Sequence, residues 1–180
     1  MHDHHDHHHN HDHEHEHEIK AGKIAGLKID VCIISDSRTV ETDESGKWLC
    51  EKIPGIKNFI LGNYSLIKND VFAINSVVDK FIESDSMALI TSGGTGISSR
   101  DVTIETLDGL YEKRLTGFGE IFRMLSFEDI GVRAMMSRAT AGVIQKKVVI
   151  SLPGSKNAVS MAFEKMIEPQ LAHLIFEATR

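Results

Sequence analysis

Short apolar runs rich in Val and Ile alternate with helical patterns along the chain, and this alternation restricts the possible folds more than any other sequence feature. Four such runs are predicted as buried strands, because they are too short for helices and rich in β-branched residues. The strands are expected at residues 28–35, 58–67, 87–91 and 147–152. Helices are expected at residues 47–52, 71–83, 103–114, 119–126, 132–144 and 155–179, the last with a kink or break at Pro169. Strands that alternate with helices indicate an α/β fold with a parallel sheet covered on both faces.

The composition suits one globular domain with a hydrophobic core, since 41 % of the 180 residues are apolar and 26 % are charged. The longest apolar runs fall far short of the roughly 20 residues of a membrane span. The N-terminus also lacks the basic start and apolar middle of a secretory signal. We therefore expect a cytoplasmic protein without a membrane partner, in which Cys32 and Cys50 are reduced core residues.

The net charge of −6 comes entirely from the first 18 residues. They contain six of the 26 acidic residues and no Lys or Arg, so the remaining 20 acidic residues balance the 20 basic ones. A formally neutral domain offers no electrostatic argument for nucleic acid as the main partner. Nucleic acid is therefore not expected as a ligand.

Ten of the eleven histidines lie between His2 and His17, mixed with Asp, Glu and Asn. Residues 1–18 are predicted to be a disordered His-rich tail, followed by a linker at 19–26 and a single domain at 27–180. Imidazoles at this density bind Zn²⁺, Ni²⁺ or Cu²⁺. Two interpretations stay open: a native tail that buffers or senses metal, and a purification tag or biased tail without a selected role. Neither gives the tail a catalytic role.

Four loops follow the predicted strands or precede the predicted helices, and they carry most of the Gly, Ser, Thr and Asp residues of the domain. In open α/β sheets, ligands bind beyond the carboxyl ends of the strands. We therefore expect the ligand site where these loops meet. The loops are residues 35–38, 69–70, 92–101 and 153–155.

The third loop contains Gly93-Gly94-Thr95-Gly96, directly after a predicted strand. Glycines let the backbone approach a ligand closely and direct several N–H groups the same way, which suits phosphate or pyrophosphate. The hydroxyls of Ser92 and Thr95 can add hydrogen bonds. A tight strand-to-helix turn without a ligand explains the glycines equally well. The segment matches neither the Walker phosphate loop nor the dinucleotide fingerprint.

Asp101 places a carboxylate next to this presumed phosphate site, where phosphate would repel it unless a cation lies between them. Mg²⁺ takes one or two carboxylates together with phosphate oxygens. Asp70 belongs to another loop at the same sheet edge and can supply the second carboxylate. Each aspartate can instead be a helix N-cap, but together they favour a magnesium site.

Pro153-Gly154-Ser155 precedes the last predicted helix and offers a second helix N-terminus to an anion. The alternative is that these three residues only form the turn between the strand and the helix and bind no ligand. A separate group of apolar residues is expected in the core or in subunit contacts rather than at a cofactor. This group comprises Phe122, Met124, Met135 and Met136.

The string from Thr91 to Gly96, followed by Arg100-Asp101-Val102-Thr103, resembles the MoaB/MogA family of molybdenum cofactor biosynthesis. The resemblance covers essentially the whole chain from about residue 27, and the segment 118–130 looks most like the MoaB branch. Thr91-Ser92 stands where the family often has two threonines, a change that keeps a hydroxyl. Further motifs in the family's order are Ser35-Asp36-Ser37-Arg38 with Asp43, Ser45 and Gly46, then Gly117-Phe118-Gly119-Glu120, Ser137-Arg138 and Leu152-Pro153-Gly154-Ser155.

The resemblance implies a three-layer molybdopterin-binding fold with a mostly parallel sheet flanked by helices, in a homotrimer or hexamer. It implies a molybdopterin adenylyltransferase that uses ATP and Mg²⁺, releases pyrophosphate and prepares molybdopterin for molybdate or tungstate insertion. Asp70 and Asp101 match the two family aspartates needed for activity. Ser35 is expected to bind substrate or phosphate together with the glycine loop and residues 153–155, and Glu120 and Ser155 are placed near the ligand without a defined role. The alternative is a carrier or scaffold that binds molybdopterin without turnover.

Overall fold

The computed structural model describes residues 26–180. The predicted His-rich tail and its metal binding lie outside the described residues, as does almost all of the linker. Within the described part there are six strands: β1 (Leu27–Ile34), β2 (Phe59–Ile67), β3 (Ala88–Ser92), β4 (Lys113–Arg114), β5 (Thr140–Ile144) and β6 (Lys147–Leu152). The α-helices there are α1 (Glu44–Lys52), α2 (Val71–Glu83), α3 (Thr103–Asp108), α4 (Thr116–Ile130), α5 (Lys156–Ala162) and α6 (Glu168–Thr179).

One mixed sheet forms the centre of the molecule, with strand order β2-β1-β3-β6-β5-β4. Neighbouring strands among β2, β1, β3 and β6 pair in parallel. At one edge, β5 pairs antiparallel with β6, and β4 pairs antiparallel with β5. This architecture confirms the predicted α/β fold with a mostly parallel sheet flanked by helices. It also places the carboxyl ends of β1, β3 and β6 side by side, which positions the loops that follow them.

Alternate side chains of β1 pack against helices on opposite faces of the sheet, as the two-residue period of a strand requires. Ile29, Val31 and Ile33 join the core that α1, α4, α5 and α6 cover, whereas Cys32 and Ile34 join the core beneath α2 and α3. All five side chains are buried. The apolar run that predicted this strand is therefore continuous because both faces are covered.

Two predicted helices are wrong in part. The helix expected over 103–114 ends at Asp108, and Lys113–Arg114 pairs with β5 instead. The helix expected over 132–144 is a short 3₁₀ turn at Gly131–Met136 followed by a strand. That strand pairs with β6 through a two-residue turn, Gln145-Lys146, in which both residues have positive φ, as tight hairpin turns require. Pairing with distant strands overrode the local helical pattern.

The long C-terminal helix continues from Lys156 to Thr179 with a π-helical turn at Phe163–Ile167 between α5 and α6. The backbone stays helical on both sides of this turn, so the expected irregularity lies just before Pro169 and is not a break at it. Proline has no N–H to donate, and the π-helical turn includes Lys165, the residue to which an α-helical hydrogen bond from position 169 would run. The helix predicted over 71–83 agrees with α2 at both ends.

Both cysteines are free thiols, and Cys32 lies in the core as predicted, whereas the core position predicted for Cys50 is wrong. Cys32 is buried, and burial raises the pKa of its thiol to about 11. Cys50 is half-buried, and burial, followed by the nearby charges of Asp43 and Glu51, raises the pKa of its thiol as well. Neither thiol is therefore activated as a nucleophile at neutral pH. Separately, α1 to α6 include no helix with the length and apolar character needed to cross a membrane.

Candidate anion-binding site

Four segments line an open cavity of about 450 Å³ at the carboxyl ends of β1, β3 and β6: the loops that follow these three strands, and residues 136–138. Eight of the predicted site residues line it, whereas Asp70, Ser92, Glu120 and Ser155 do not. The structure thus brings together most of the side chains and backbone groups that the sequence marked. The eight residues are Ser35, Gly93, Gly94, Thr95, Gly96, Asp101, Pro153 and Gly154.

Two glycines at the end of β3 occupy positions that no other residue fits. Gly93 has φ +109°, and a Cβ added there would collide with the backbone carbonyl of Ile34. Gly94 has φ +61°, and its Cβ would collide with the Thr103 hydroxyl and the Asn69 side chain. Left-handed backbone and close packing both exclude side chains here. The glycines therefore bring the loop backbone up against β1 and α3.

The glycine loop, residues 93–97, presents a run of unused backbone donors. Among the residues that the structure describes, no acceptor is found for the N–H groups of Gly94, Thr95, Gly96 and Ile97. The Gly93 N–H, in contrast, donates to the Leu152 carbonyl at 3.0 Å. Consecutive N–H groups without protein partners form the kind of nest that binds anions. The ligand-site interpretation of the glycines stays a prediction, and it rests on these donors.

Arg38 supplies a cation to the cavity wall. Its Nη2 donates to the Gly154 carbonyl at 2.7 Å, and its Nη1 lies 3.9 Å from the carboxylate of Asp43. Asp43 is fully buried, caps α1 by accepting from the Gly46 N–H, and accepts a hydrogen bond of 2.7 Å from the Tyr64 hydroxyl. Burial first, and the bond to Asp43 second, raise the pKa of Tyr64, so the phenol stays protonated. This buried network fixes the position of the guanidinium.

Arg138 is the second guanidinium at the cavity and joins the glycine loop to α3. Its Nε donates to the Thr95 carbonyl at 2.8 Å, and its Nη2 donates to the Gly96 carbonyl at 2.7 Å. Its Nη1 lies 2.5 Å from a carboxylate oxygen of Glu105. The hydrogen bond from Arg138 holds the pKa of the Glu105 carboxyl below its usual range. Arg38, Arg138 and Asp101 are the charged residues that line the cavity.

Asp101 lies in the cavity wall and does not cap a helix. The N-cap of α3 is Val102, without a side-chain hydrogen bond, so the capping interpretation of Asp101 is wrong. One oxygen of Asp101 accepts from the Asn69 amide at 3.3 Å, and the same amide donates to the Arg100 carbonyl at 2.9 Å. Asn69 therefore holds the segment that carries Asp101.

Asp70 has the role that its alternative interpretation predicted. Its carboxylate accepts from the Ala73 N–H at 3.0 Å and caps α2. The residue is exposed, next to Asn69 in the chain, and outside the cavity lining. The cap does not use both carboxylate oxygens, so the predicted magnesium role stays a prediction.

The remaining predicted residues lie around the cavity. Ser92 is buried and donates to the Pro153 carbonyl at 3.1 Å, which ties the glycine loop to the loop after β6. Ser155 caps α5 by accepting from the Ala158 N–H at 3.3 Å. Glu120 lies on α4 and borders a separate depression of about 250 Å³. A ligand contact for these residues stays a prediction.

Six cavity residues were not predicted as site residues. Arg38 and Ser137-Arg138 belong to strings that matched the family motifs, and that match was the available signal. The 136–138 segment reaches the cavity only because β5 pairs antiparallel with β6, and the sequence pattern there indicated a helix. The six residues are Ile34, Ser37, Arg38, Met136, Ser137 and Arg138.

The donor chemistry of the cavity fits Mg²⁺. No group of three or more His, Cys, Asp or Glu side chains converges among residues 26–180. Mg²⁺, however, is commonly held by one or two carboxylates, with waters and substrate phosphates completing the octahedron. Asp101 offers such a carboxylate inside the cavity, next to the unused N–H groups of the glycine loop.

A mostly parallel α/β sheet with a glycine loop that lines a cavity at its carboxyl edge is the arrangement in which open α/β proteins bind ligands. Residues 30–173 match the family described as a probable molybdopterin binding domain. The chain belongs to this family.

Curated relatives and solved structures agree with this assignment. The chain is 43 % identical over 157 residues to molybdenum cofactor biosynthesis protein B of Staphylococcus aureus strain MRSA252, covering 86 % of this chain and 93 % of the relative. The relative of the same name from Bacillus cereus is 45 % identical over 156 residues, or 86 % of this chain and 92 % of the relative. A crystal structure of a molybdenum cofactor biosynthesis protein B superposes with a TM-score of 0.82 at 43 % identity, covering 86 % of this chain and 97 % of that one. The tungsten cofactor synthesizing protein MoaB of Pyrococcus furiosus superposes with a TM-score of 0.77 at 34 % identity, covering 86 % and 98 %.

Proposed function

We propose that the protein acts in molybdenum cofactor biosynthesis as a molybdopterin adenylyltransferase. The observation that carries the proposal is the glycine loop, in which Gly94, Thr95 and Gly96 line the cavity and their N–H groups have no acceptor among the described residues. The family description and the names of the curated relatives supply the pterin and the pathway. The terminal phosphate of molybdopterin is the anion that this loop would hold.

The proposed reaction joins that phosphate to the AMP part of ATP. A phosphate oxygen of molybdopterin attacks the α-phosphorus of ATP, the bond from that phosphorus to the bridging oxygen breaks, and pyrophosphate leaves. The loop N–H groups and the Arg38 guanidinium stabilise charge on the phosphates, which is the main catalytic contribution in phosphoryl transfer. Asp101, and Asp70 from the neighbouring loop, would hold Mg²⁺, which supplies charge neutralisation between carboxylate and phosphate oxygens.

A carrier that binds molybdopterin without turnover is the second candidate. It is favoured by the position of Asp70, which caps α2 outside the cavity lining. A carrier needs the anion loop but not a second carboxylate.

We further propose that the subunits associate through an exposed apolar surface on α4 and the 3₁₀ turn after it, named here the α4 surface. Four of its side chains, Met124, Phe127, Val132 and Met135, are exposed and line one groove of about 370 Å³, and exposed apolar side chains grouped in this way mark interaction surfaces. Met136 at its edge also lines the anion cavity. The family resemblance adds that the oligomer is a trimer or a hexamer. The α4 surface consists of Ile121, Met124, Phe127, Ile130, Val132, Met135 and Met136.

Incubation of the purified protein with molybdopterin, ATP and Mg²⁺ tests the enzyme against the carrier. We expect adenylylated pterin and pyrophosphate in equal amounts, and at least about a hundredfold loss of rate in Asp101→Asn with pterin binding largely retained. Asp79→Asn, an exposed aspartate on α2 away from the cavity, serves as the matched control. Normal pterin binding without product would leave the carrier, and a fully active Asp101→Asn would remove the magnesium assignment.

A further inference from the structure

We infer that Arg138, held by Glu105, is a positioning residue that sets the direction of the donor groups in the glycine loop. The inference rests on the proposed anion-binding function of that loop and extends it to a residue outside the loop. Arg138 acts on the carbonyl side of the loop peptides, through the Thr95 and Gly96 oxygens.

The planarity of the peptide bond connects these carbonyls to the donors. In a trans peptide, the carbonyl of one residue and the N–H of the next point in opposite directions within one plane. A Thr95 carbonyl held by Arg138 therefore turns the Gly96 N–H away from Arg138. In the same way, the Gly96 carbonyl fixes the direction of the Ile97 N–H.

A third peptide of the loop is fixed from another side. The Thr103 N–H donates to the Gly94 carbonyl at 3.0 Å, which sets the direction of the Thr95 N–H. Three successive donors are thus oriented through their carbonyl partners, while the donors themselves keep no protein acceptor. Glycine at positions 93, 94 and 96 leaves the backbone flexible, so this orientation needs an external support.

Arginine suits this task because its planar guanidinium carries several donors in a rigid fork. Nε and Nη2 reach the two successive carbonyls, and Nη1 and Nη2 both contact the Glu105 carboxylate. Glu105 stands in the first turn of α3, so the pair also ties the loop to the helix that follows it. A lysine would keep the charge, but its single nitrogen cannot reproduce this geometry.

The test separates geometry from charge with Arg138→Lys and Arg138→Gln in the full-length chain. Inorganic pyrophosphate is the probe, with its dissociation constant measured by titration calorimetry, and ¹⁵N relaxation reports the order of the Gly96 and Ile97 amides. We expect both variants to bind pyrophosphate on the order of tenfold more weakly and to show increased motion at these two amides. Glu105→Gln should show a smaller loss, because it keeps a hydrogen bond but loses the charge.

Arg114→Lys is the matched control, since Arg114 also pairs with a carboxylate, Asp108, at 2.9 Å but lies outside this cavity. Thermal unfolding of each variant separates loss of folding from loss of binding. Wild-type affinity in Arg138→Lys would show that only charge matters and would overturn the inference. If wild type fails to bind pyrophosphate, the proposed function is contradicted. If the motion of the Gly96 and Ile97 amides is unchanged in Arg138→Lys, the positioning role is overturned independently of the function.

Discussion

Asp70 and Asp101 lie on neighbouring loops. Asn69 precedes Asp70 in the chain and contacts Asp101 through its side chain, but the two carboxylates have different surroundings. Asp101 faces the cavity and accepts from the Asn69 amide, whereas Asp70 caps α2 and is exposed. A cap and a metal ligand make different demands on a side chain. A cap needs one oxygen acceptor, and a magnesium ligand needs the negative charge. These demands can be separated by substitution.

Asp70→Asn should keep the cap and remove the charge, because asparagine is as good an N-cap as aspartate. We expect its free energy of unfolding to stay within about 0.5 kcal/mol of wild type, whereas Asp70→Ala should lose about 1 kcal/mol. Both variants should lose adenylylation of molybdopterin. Urea unfolding and the rate of pyrophosphate release provide the two measurements. Full turnover in Asp70→Asn would reduce Asp70 to a structural cap.

At the scale of elements, α4 has two apolar faces with different surroundings. Phe118 and Phe122 are buried against the sheet, whereas Met124 and Phe127 are each 57 % exposed. The inner face explains why the helix forms and packs. The outer face contributes nothing to the fold of one chain, and its exposure costs free energy that a partner subunit would recover.

Phe127→Glu should therefore weaken subunit association without unfolding the chain. Each large apolar side chain buried in an interface contributes about 1.5–3 kcal/mol, and an added carboxylate there also costs desolvation. We expect wild type to run as a trimer or hexamer in sedimentation velocity, and the variant to shift toward monomer with an unchanged circular dichroism spectrum. Glu128→Gln on the same helix is the control and should keep the wild-type assembly. Monomeric wild type at micromolar concentration would contradict the proposed interface.

At the scale of the whole molecule, the cavity lining that the structure describes belongs to the central part of the chain. The lining extends from Ile34 to Gly154, and the matched family region spans residues 30–173. The His-rich segment at 1–18 lies before both. The domain chemistry and the metal-binding capacity of the tail are therefore expected to be separable.

Removal of residues 1–18 should leave the thermal midpoint and the adenylylation rate close to those of the full chain, because every cavity residue that the structure describes is kept. The shortened chain should lose binding of Ni²⁺ and Zn²⁺ in calorimetric titrations, since ten of the eleven histidines are removed. A large loss of turnover at saturating Mg²⁺ would instead assign the tail a part in the reaction.

Local patterns determined much of this protein from the sequence. The apolar runs of β1, β3 and β6 predicted the parallel sheet, because a strand covered on both faces needs consecutive apolar residues. The glycines after β3 predicted a close backbone approach, and Gly93 and Gly94 do have left-handed backbone with no room for a Cβ. These features depend on neighbouring residues and could be predicted without knowing the rest of the chain.

Only the tertiary structure decided that β5 and β4 form an antiparallel edge of the sheet and that Arg38 and Arg138 line the cavity. β5 reads locally as a helix and becomes a strand because β6 supplies its hydrogen-bond partners. That pairing carries Arg138 to the Thr95 and Gly96 carbonyls, more than 40 residues away in the chain. Arg38 likewise reaches the Gly154 carbonyl across 116 residues. Sequence patterns report local preference, whereas the position of a charge beside a distant backbone group depends on how the whole sheet is assembled.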